Sequence, residues 1–142
     1  MIIPDINLLI YAYNEGSRQH EQAKRWWEEC LSGKTTVGLP WVVSLGFLRL
    51  TTSAKVFTHP MPVEVAAGHV RSWLERPVVQ VLHPGGRHAD IFFEYIRELG
   101  TAANLTTDAH LAALAVEYQA VLHSTDADFG RFSGLRWRNP IG

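Results

Sequence analysis

The chain has 142 residues, 46% of them hydrophobic, and its formal net charge is −1 at pH 7. This length favours one domain over residues 1–142 with a core of its own. The near-zero charge excludes a bulk polyanion-binding surface, so any contact with nucleic acid needs a local basic patch or a bound cation. Cys30 is the only cysteine, which excludes an internal disulfide and cysteine-rich zinc sites and favours a cytoplasmic location.

The first segment, MIIPDINLLIYAYNEG, has no basic residue ahead of its apolar run and carries Asp5 within it. We therefore expect no signal peptide. No stretch approaches the ~20 apolar residues that a membrane span needs, so we expect no membrane association.

Apolar runs with strand and helix periodicity alternate along the chain. Glycines and hydroxyl residues predict where helices begin and end: Ser17 and either Thr106 or Thr107 as N-caps, Gly33 and Gly100 just past the last turns. In chain order the predicted elements are strand 1–5, helix 7–14, helix 17–33, strand 35–39, helix 41–52, helix 62–76, strand 78–82, helix 88–100, helix 106–119, strand 120–124 and an edge strand within 135–140.

Continuously apolar strands that alternate with helices indicate a sheet covered on both faces. We predict an α/β fold with three layers, α/β/α, around a mostly parallel sheet of about four to five strands. Folds of this class bind ligands at the carboxyl ends of their strands.

Four of the five aspartates fall where that rule makes them interesting. Asp5 ends the first strand, Asp126 follows the strand 120–124, and Asp128 stands two residues later. Asp108 opens a helix and reaches the same edge if its helix starts there. Only Asp90 is left over.

Each of these residues also has an ordinary structural explanation. A carboxylate at Asp108 interacts favourably with the helix dipole, by ~0.3–1 kcal/mol. Asp126 and Asp128 could simply shape a loop, because aspartate favours turns. Asn7 could cap a helix or orient the acids by a hydrogen bond. Asp5 is harder to explain in this way, because it lies inside an apolar segment where burial of an unpaired charge is costly.

Several carboxylates that converge at one edge of a sheet repel one another, and a hard divalent cation relieves that repulsion. Mg²⁺ or Mn²⁺ is the expected ion. The seven histidines have no spacing such as H-x-x-x-H, so we do not predict zinc.

The sequence resembles the PIN-domain ribonucleases, specifically the VapC-type toxins of bacterial type II toxin–antitoxin pairs. Three blocks carry the resemblance over nearly the whole chain: PDINLLIYAYNEGSRQHEQAKRWW, LPWVVSLGFLRLTT and TTDAHLAALAVEYQAVLHSTDADFGRFSGLRW. Each block is weak alone, whereas their order, spacing and total length together are fairly specific.

This resemblance implies a Mg²⁺-dependent endoribonuclease. By position, Asp5 and Asp108 look like the principal metal ligands, with Asp126 and Asp128 as further catalytic acids and Asn7 as the residue that positions Asp5. Asp126 also looks like a metal ligand, or like the group that orients or deprotonates the attacking water. The family also implies a VapB-type antitoxin that lays a helix into an apolar groove, and a homodimer.

One departure from the family pattern concerns Gly46, which stands near the place where many relatives carry a glutamate. No acidic residue occurs between Glu29 and Glu64. Either Asp128 substitutes, which we favour, or the site works with three acids, or metal binds weakly without substrate. A catalytically degenerate domain that binds RNA or a partner is the alternative function.

Because acidic sites repel RNA, basic residues should flank this one. The substrate-binding candidates are Arg49, Arg131 and Arg136, and Lys55 and Arg138 are further candidates. Phe132 and Trp137 could stack on unpaired bases. The alternative is an edge strand with solvated arginines and aromatic side chains in the core.

A phosphoryl-transfer domain with an aspartyl intermediate is a further alternative, because such domains also place aspartates at strand ends. It is disfavoured, since the first strand ends in the single Asp5 and no lysine follows Lys55.

Overall fold

A five-stranded sheet forms the centre of the computed structural model, which describes residues 1–142. All neighbouring strands are parallel, in the order β3-β2-β1-β4-β5. The strands are β1 (Ile2–Pro4), β2 (Val37–Pro40), β3 (Val79–Leu82), β4 (Val121–His123) and β5 (Trp137–Arg138). The chain thus builds outward from β1 to β3 and then returns to the other side of β1, which creates a switch point between β1 and β4.

Six α-helices connect the strands: α1 (Ile6–Tyr13), α2 (His20–Ser32), α3 (Trp41–Thr51), α4 (Val63–Leu74), α5 (His88–Leu99) and α6 (Thr106–Glu117). Helix α1 packs against α2 and α3, and α3 packs against α4, whereas α5 packs against α6. Right-handed crossovers place the first four helices on one face and the last two on the other, because the chain reverses direction between β3 and β4. No helix is both long enough and apolar enough to cross a membrane.

The core on the first face is built from aromatic rings. Trp73 of α4 meets Phe47 of α3 and Trp27 of α2 edge to face, with ring centroids 4.7 and 5.5 Å apart. On the other face α6 is hydrophobic nearly all round, with every residue from Leu111 to Ala115 buried. These two packing centres cover the two faces of the sheet, whose strand ends carry the candidate site residues.

The predicted fold class is confirmed, with five strands and a sheet that is parallel throughout. Gly100 ends α5 in the left-handed conformation with φ of 72°, as predicted, and Gly33 directly follows α2. The predicted N-caps are wrong. Helix α2 begins at His20, because the Ser17 hydroxyl instead accepts a hydrogen bond from the Gln19 N–H (3.2 Å) and closes a turn before the helix.

The predicted cap of α6 is wrong for a similar reason. Thr106 and Thr107 lie inside the first turn, and the residue before the helix is Leu105, which has no capping side chain. The Thr106 hydroxyl donates to the Ala103 carbonyl at 2.7 Å, in the short 3₁₀ turn Ala103–Leu105 that leads into the helix. This start places Asp108 in the first turn of α6.

Candidate active site

The carboxyl ends of β1 and β4 meet at the switch point, and aspartates follow both strands. The Asp5 N–H donates to the carbonyl oxygen of His123 at 2.9 Å, which joins the two strand ends directly. Asp126 lies three residues beyond His123, at the start of the 3₁₀ turn Ala127–Arg131. The two aspartates are therefore at the same edge of the sheet, although 121 positions separate them in the sequence.

Asp5 is held in place by hydrogen bonds to both carboxylate oxygens. Its Oδ1 accepts from the Ile6 N–H at 2.8 Å, which caps α1, and its Oδ2 accepts from the Ser124 hydroxyl at 2.7 Å. Only 8% of the residue is exposed. Burial raises the pKa of Asp5, the two hydrogen bonds oppose that rise, and the charge of Asp126 adds to it.

Ser124 connects the two acids, and our sequence analysis did not single it out. The fully buried hydroxyl donates to Asp5 and accepts from the Asp126 N–H at 2.9 Å. In the sequence, only its position two residues before Asp126 could have indicated a role for Ser124, and a serine at such a position is equally typical of any turn. Ser124 is thus the residue that sets the relative positions of Asp5 and Asp126.

Asn7 is the second residue of α1, where its side-chain amide donates to the Thr125 hydroxyl at 2.9 Å. Its Oδ1 is buried and has no hydrogen-bond partner. Buried acceptors of this kind are rare in folded proteins, and this oxygen can accept from a water molecule or coordinate a cation. Asn7 does not cap the helix, because that role belongs to Asp5.

Asp126 and Asp128 differ in their surroundings. The Asp126 Oδ1 accepts from the Asp128 N–H at 2.9 Å and so caps the 3₁₀ turn, whereas the Asp128 side chain is exposed. Asp126 therefore shapes the loop, which is the ordinary structural role that an aspartate in a turn can have. Its second carboxylate oxygen does not take part in that hydrogen bond. Asp128 lies at the outer rim of the group.

Asp108 joins the group from the first turn of α6. Burial raises its pKa to about 6, and the charges of Asp5, Asp126 and Asp128 add to that rise. A carboxylate that merely complemented the helix dipole would have its charged form favoured, and its pKa would fall. Burial and the charges of the three neighbouring aspartates act in the opposite direction to the dipole, so the four aspartates influence one another electrostatically.

The chemistry of these donors fits a hard divalent cation. No three Asp, Glu, His or Cys side chains converge closely enough to enclose a metal ion by themselves. Mg²⁺ does not need such a cage, because it is commonly bound by one or two carboxylates and keeps several waters. The carboxylates of Asp5 and Asp108, and the unpartnered Oδ1 of Asn7, are oxygen atoms of the kind that this ion prefers as ligands.

On the α3 side the site is closed by an apolar contact. A Cβ at Gly46 would lie 2.6 Å from the Cδ1 and 3.1 Å from the Cγ1 of Ile6. The side chain of Ile6 therefore fills the space into which a longer residue at position 46 would project. Helix α3 contributes no carboxylate to the site.

The three predicted RNA-contacting arginines are not brought together. Arg131 is exposed at the end of the 3₁₀ turn that Asp126 caps, so of the three it is the one on the same loop as two of the acids. Arg136 lies at the amino-terminal ends of the strands, opposite to the acids, because its guanidinium donates to the Gln119 carbonyl ahead of β4. Arg49 is exposed in the last turn of α3, well along that helix from the sheet edge.

Neither predicted stacking residue presents an open ring. Phe132 is 3% exposed and packs edge to face on Tyr95, with centroids 5.1 Å apart. Trp137 is half-buried, and its indole N–H donates to the Ser124 carbonyl at 3.1 Å. Both rings therefore support the loop beneath the acids, as the structural alternative for this segment proposed.

Buried His123 does not act on the acids. Its ring faces α2, where its Nδ1 accepts from the Trp26 indole N–H at 3.0 Å. Burial and the charge of Arg138 lower the pKa of His123 to about 4. The imidazole is therefore neutral at neutral pH and serves packing on the first face of the sheet.

Comparisons with known proteins agree with this fold and site. The model of the PIN domain family matches residues 2–135. The chain is 48% identical to ribonuclease VapC33 and 47% identical to ribonuclease VapC37 of Mycobacterium tuberculosis, in each case over 99% of this chain and at least 97% of the relative. The chain therefore belongs to the PIN-domain family, and its full-length relatives group it with the VapC ribonucleases.

Solved structures show the same fold at lower sequence identity. The VapBC2 complex of Rickettsia felis bound to promoter DNA contains a chain with TM-score 0.72 and 18% identity, and the two chains cover 98% of each other. VapC20 of Mycobacterium tuberculosis, a toxin that cleaves the sarcin–ricin loop, aligns with TM-score 0.68 and 22% identity over 96% of this chain and 99% of that one. At these identities the likeness supports the fold alone.

Proposed function

We propose that this protein is the toxin of a VapBC-type pair and an endoribonuclease that hydrolyses RNA phosphodiester bonds. The observation that carries the proposal is the convergence of Asp5, Asp108 and Asp126 at the switch point of the sheet. Their mutual repulsion raises the pKa of Asp108, already raised by burial, to about 6. Perturbed carboxylates in such a place are typical of catalytic sites. Full-length relatives that are named VapC ribonucleases support the same activity.

We further propose that the reaction depends on Mg²⁺, for which Mn²⁺ can substitute. Asp5 and Asp108 would hold the ion, with Asp126 and the free Oδ1 of Asn7 beside it. When bound, such an ion offsets the negative charge that develops on the phosphate in the transition state. Because Asp108 has a raised pKa, ion binding near pH 6 displaces a proton from it and becomes weaker as the pH falls.

The chain's own residues position the reactants. Ser124 and the Ile6 N–H fix the carboxylate of Asp5, so that it cannot rotate away from the phosphate. The Asp126 oxygen that does not cap the turn accepts no hydrogen bond within the chain and is our candidate to orient or deprotonate the attacking water. Arg131, at the end of the turn that Asp126 caps, would contact the RNA backbone and reduce its repulsion from the site.

Partners follow from the same assignment. We propose a VapB-type antitoxin as the protein partner, because VapBC complexes of other bacteria share this fold. We also propose a homodimer, and the cytoplasm as the compartment in which the RNA substrate is found.

A second candidate function is a catalytically degenerate domain that binds RNA without cutting it. The contact of Ile6 on Gly46 favours this alternative, because it removes the space for a further carboxylate. Asp108 argues against it. A binding module gains nothing from a half-buried aspartate that is repelled by its neighbours and by the RNA, whereas a site that needs a cation does.

The test is cleavage of a mixed RNA pool by protein freed from its partner, with Mg²⁺, with Mn²⁺ and with EDTA. We expect cleavage with either metal ion, none with EDTA, and a loss of at least about 100-fold in Asp5→Asn and Asp108→Asn. Asp90→Asn is the matched control, because Asp90 is exposed on α5 away from the group. Intact RNA under every condition, from folded protein that still binds RNA, would favour the degenerate binding module.

A further inference from the structure

An apolar stripe on α3 has no covering element. Trp41 is 45% exposed and Leu45 is 57% exposed, and they stand one helical turn apart. Arg49 continues the same face one turn further on and is also exposed. We call Trp41, Leu45 and Arg49 the α3 stripe. Large apolar side chains that are exposed side by side usually mark a binding surface.

Trp41 differs from the other four tryptophans of the chain. The indoles of Trp26, Trp73 and Trp137 donate hydrogen bonds within the protein, and Trp27 is 2% exposed in the core. Trp41 has no such partner and presents an open ring at the start of α3. Its exposure is therefore not explained by packing or by internal hydrogen bonding.

The stripe begins next to the aspartates. Strands β1 and β2 are parallel with Ile2 beside Val37, and the same register carried forward sets Asp5 beside Pro40. Neighbouring strands are about 4.8 Å apart, so Trp41 follows directly on the strand beside Asp5. The contact of Ile6 with Gly46 confirms that α3 lies against the start of α1, with the stripe on a more exposed side of the helix.

The charge of this surface suits a polyanion. No acidic residue occurs from Cys30 to Val63, whereas that segment contains Lys34, Arg49 and Lys55. In a chain of net charge −1 this is the longest part free of carboxylates. Helix α3 itself therefore adds no negative charge that would repel an RNA strand near the acidic site, and Arg49 in its last turn adds a positive one.

We propose that the α3 stripe binds an unpaired segment of the RNA substrate next to the cleaved phosphate. Trp41 stacks on a base, Leu45 extends the apolar contact, and Arg49, about 12 Å further along the helix, pairs with a backbone phosphate. Bases inside a duplex are stacked on one another and cannot make this contact, so the stripe selects single-stranded or looped RNA. This inference rests on the proposed ribonuclease function and names the form of its substrate.

The test measures binding rather than cleavage, so that the two proposals fail separately. Fluorescein-labelled single-stranded oligoribonucleotide, and a duplex of the same sequence, are titrated with Asp5→Asn protein in fluorescence anisotropy. Trp41→Ala is expected to weaken single-strand binding by about 5- to 100-fold, the usual loss for one base–aromatic stack. Trp41→Phe should keep most of the affinity. Phe93→Ala is the matched control, because Phe93 is 65% exposed on α5, on the other face of the sheet.

Single-strand binding that is unchanged in Trp41→Ala would overturn the proposal. So would light scattering that shows a dimer for the parent and a monomer for Trp41→Ala, because the stripe would then be a contact between two copies. Binding that depends on Trp41, together with a parent protein (Asp5 intact) that cleaves no RNA with Mg²⁺ or Mn²⁺, would support the stripe and refute the nuclease. Circular dichroism confirms that each variant is folded, as expected for changes at exposed positions.

Discussion

Asp108→Asn should make the protein more stable at neutral pH while it abolishes cleavage. Burial and the three neighbouring acids raise the pKa of Asp108 from 3.8 to about 6. Each pKa unit corresponds to about 1.36 kcal/mol, so the full shift is equivalent to ~3 kcal/mol. The side chain is only half-buried, and solvent screening reduces this figure to an expected gain of about 1 kcal/mol at pH 7.

The gain should depend on pH in a defined direction. Below about pH 4 the Asp108 carboxyl is protonated in both the folded and the unfolded parent, so variant and parent should differ little. Between about pH 4 and 6 the unfolded chain releases this proton while the folded chain retains it, and the parent loses stability as the pH rises. Asparagine does not titrate, so the difference in stability between variant and parent increases over this pH range and reaches its full size above pH 6.

Urea unfolding in EDTA at several pH values measures this difference. Adding Mg²⁺ should reverse it, because only the parent gains the binding free energy, about 2.7 kcal/mol at 100 times the Kd. Asp90→Asn, whose carboxylate is exposed in the first turn of α5, should instead be neutral or slightly destabilising. If Asp108→Asn lowers the stability at pH 7 without metal, or if its effect is the same at pH 4, the mutual repulsion inferred here is wrong.

Three further predictions address the rest of the site. Gly46→Glu should lower the free energy of unfolding by about 1–3 kcal/mol, because its Cβ would lie 2.6 Å from Ile6 Cδ1. Adding Ile6→Ala should recover part of that loss. The control Gly68→Ala, on the open side of α4, should instead stabilise the protein by about 0.5–1 kcal/mol. Equal urea midpoints for the parent and Gly46→Glu would contradict the contact between Ile6 and position 46. Ser124→Ala should lower the free energy of unfolding in urea by about 1–3 kcal/mol and slow RNA cleavage, because it leaves Asp5 Oδ2 and the Asp126 N–H without a partner. Ser133→Ala, a change at an exposed serine, is the control, and an equal effect of the two substitutions would argue against the link through Ser124. Arg131→Ala should reduce the slope of log binding constant for RNA against log salt concentration by about 1, whereas Arg136→Ala should leave this slope unchanged. Equal slopes for the two variants would show that Arg131 does not contact phosphate.

Local patterns in the sequence were sufficient for the fold and for the acidic residues. Continuously apolar runs predicted the strands, because strands covered on both faces have no solvent side. Asp5 and Asp126 follow two such runs, and parallel strands present their carboxyl ends at one edge, so their convergence could be predicted before any contact was known. The helix starts were less predictable, because Ser17 and Thr106 make turn hydrogen bonds that compete with capping.

What the sequence by itself determined is thus the alternation of strands and helices, the parallel sheet and the edge at which the aspartates gather. Only the tertiary structure decided how these groups act on one another. The link through Ser124 joins residues 119 positions apart, and the raised pKa of Asp108 depends on acids from two other segments. Ile6 fills the space above Gly46, and Arg136 lies at the amino-terminal ends of the strands. The physical reason is that periodicity and turn chemistry act within a few residues, whereas packing, burial and electrostatic repulsion depend on distances that the folded chain alone defines.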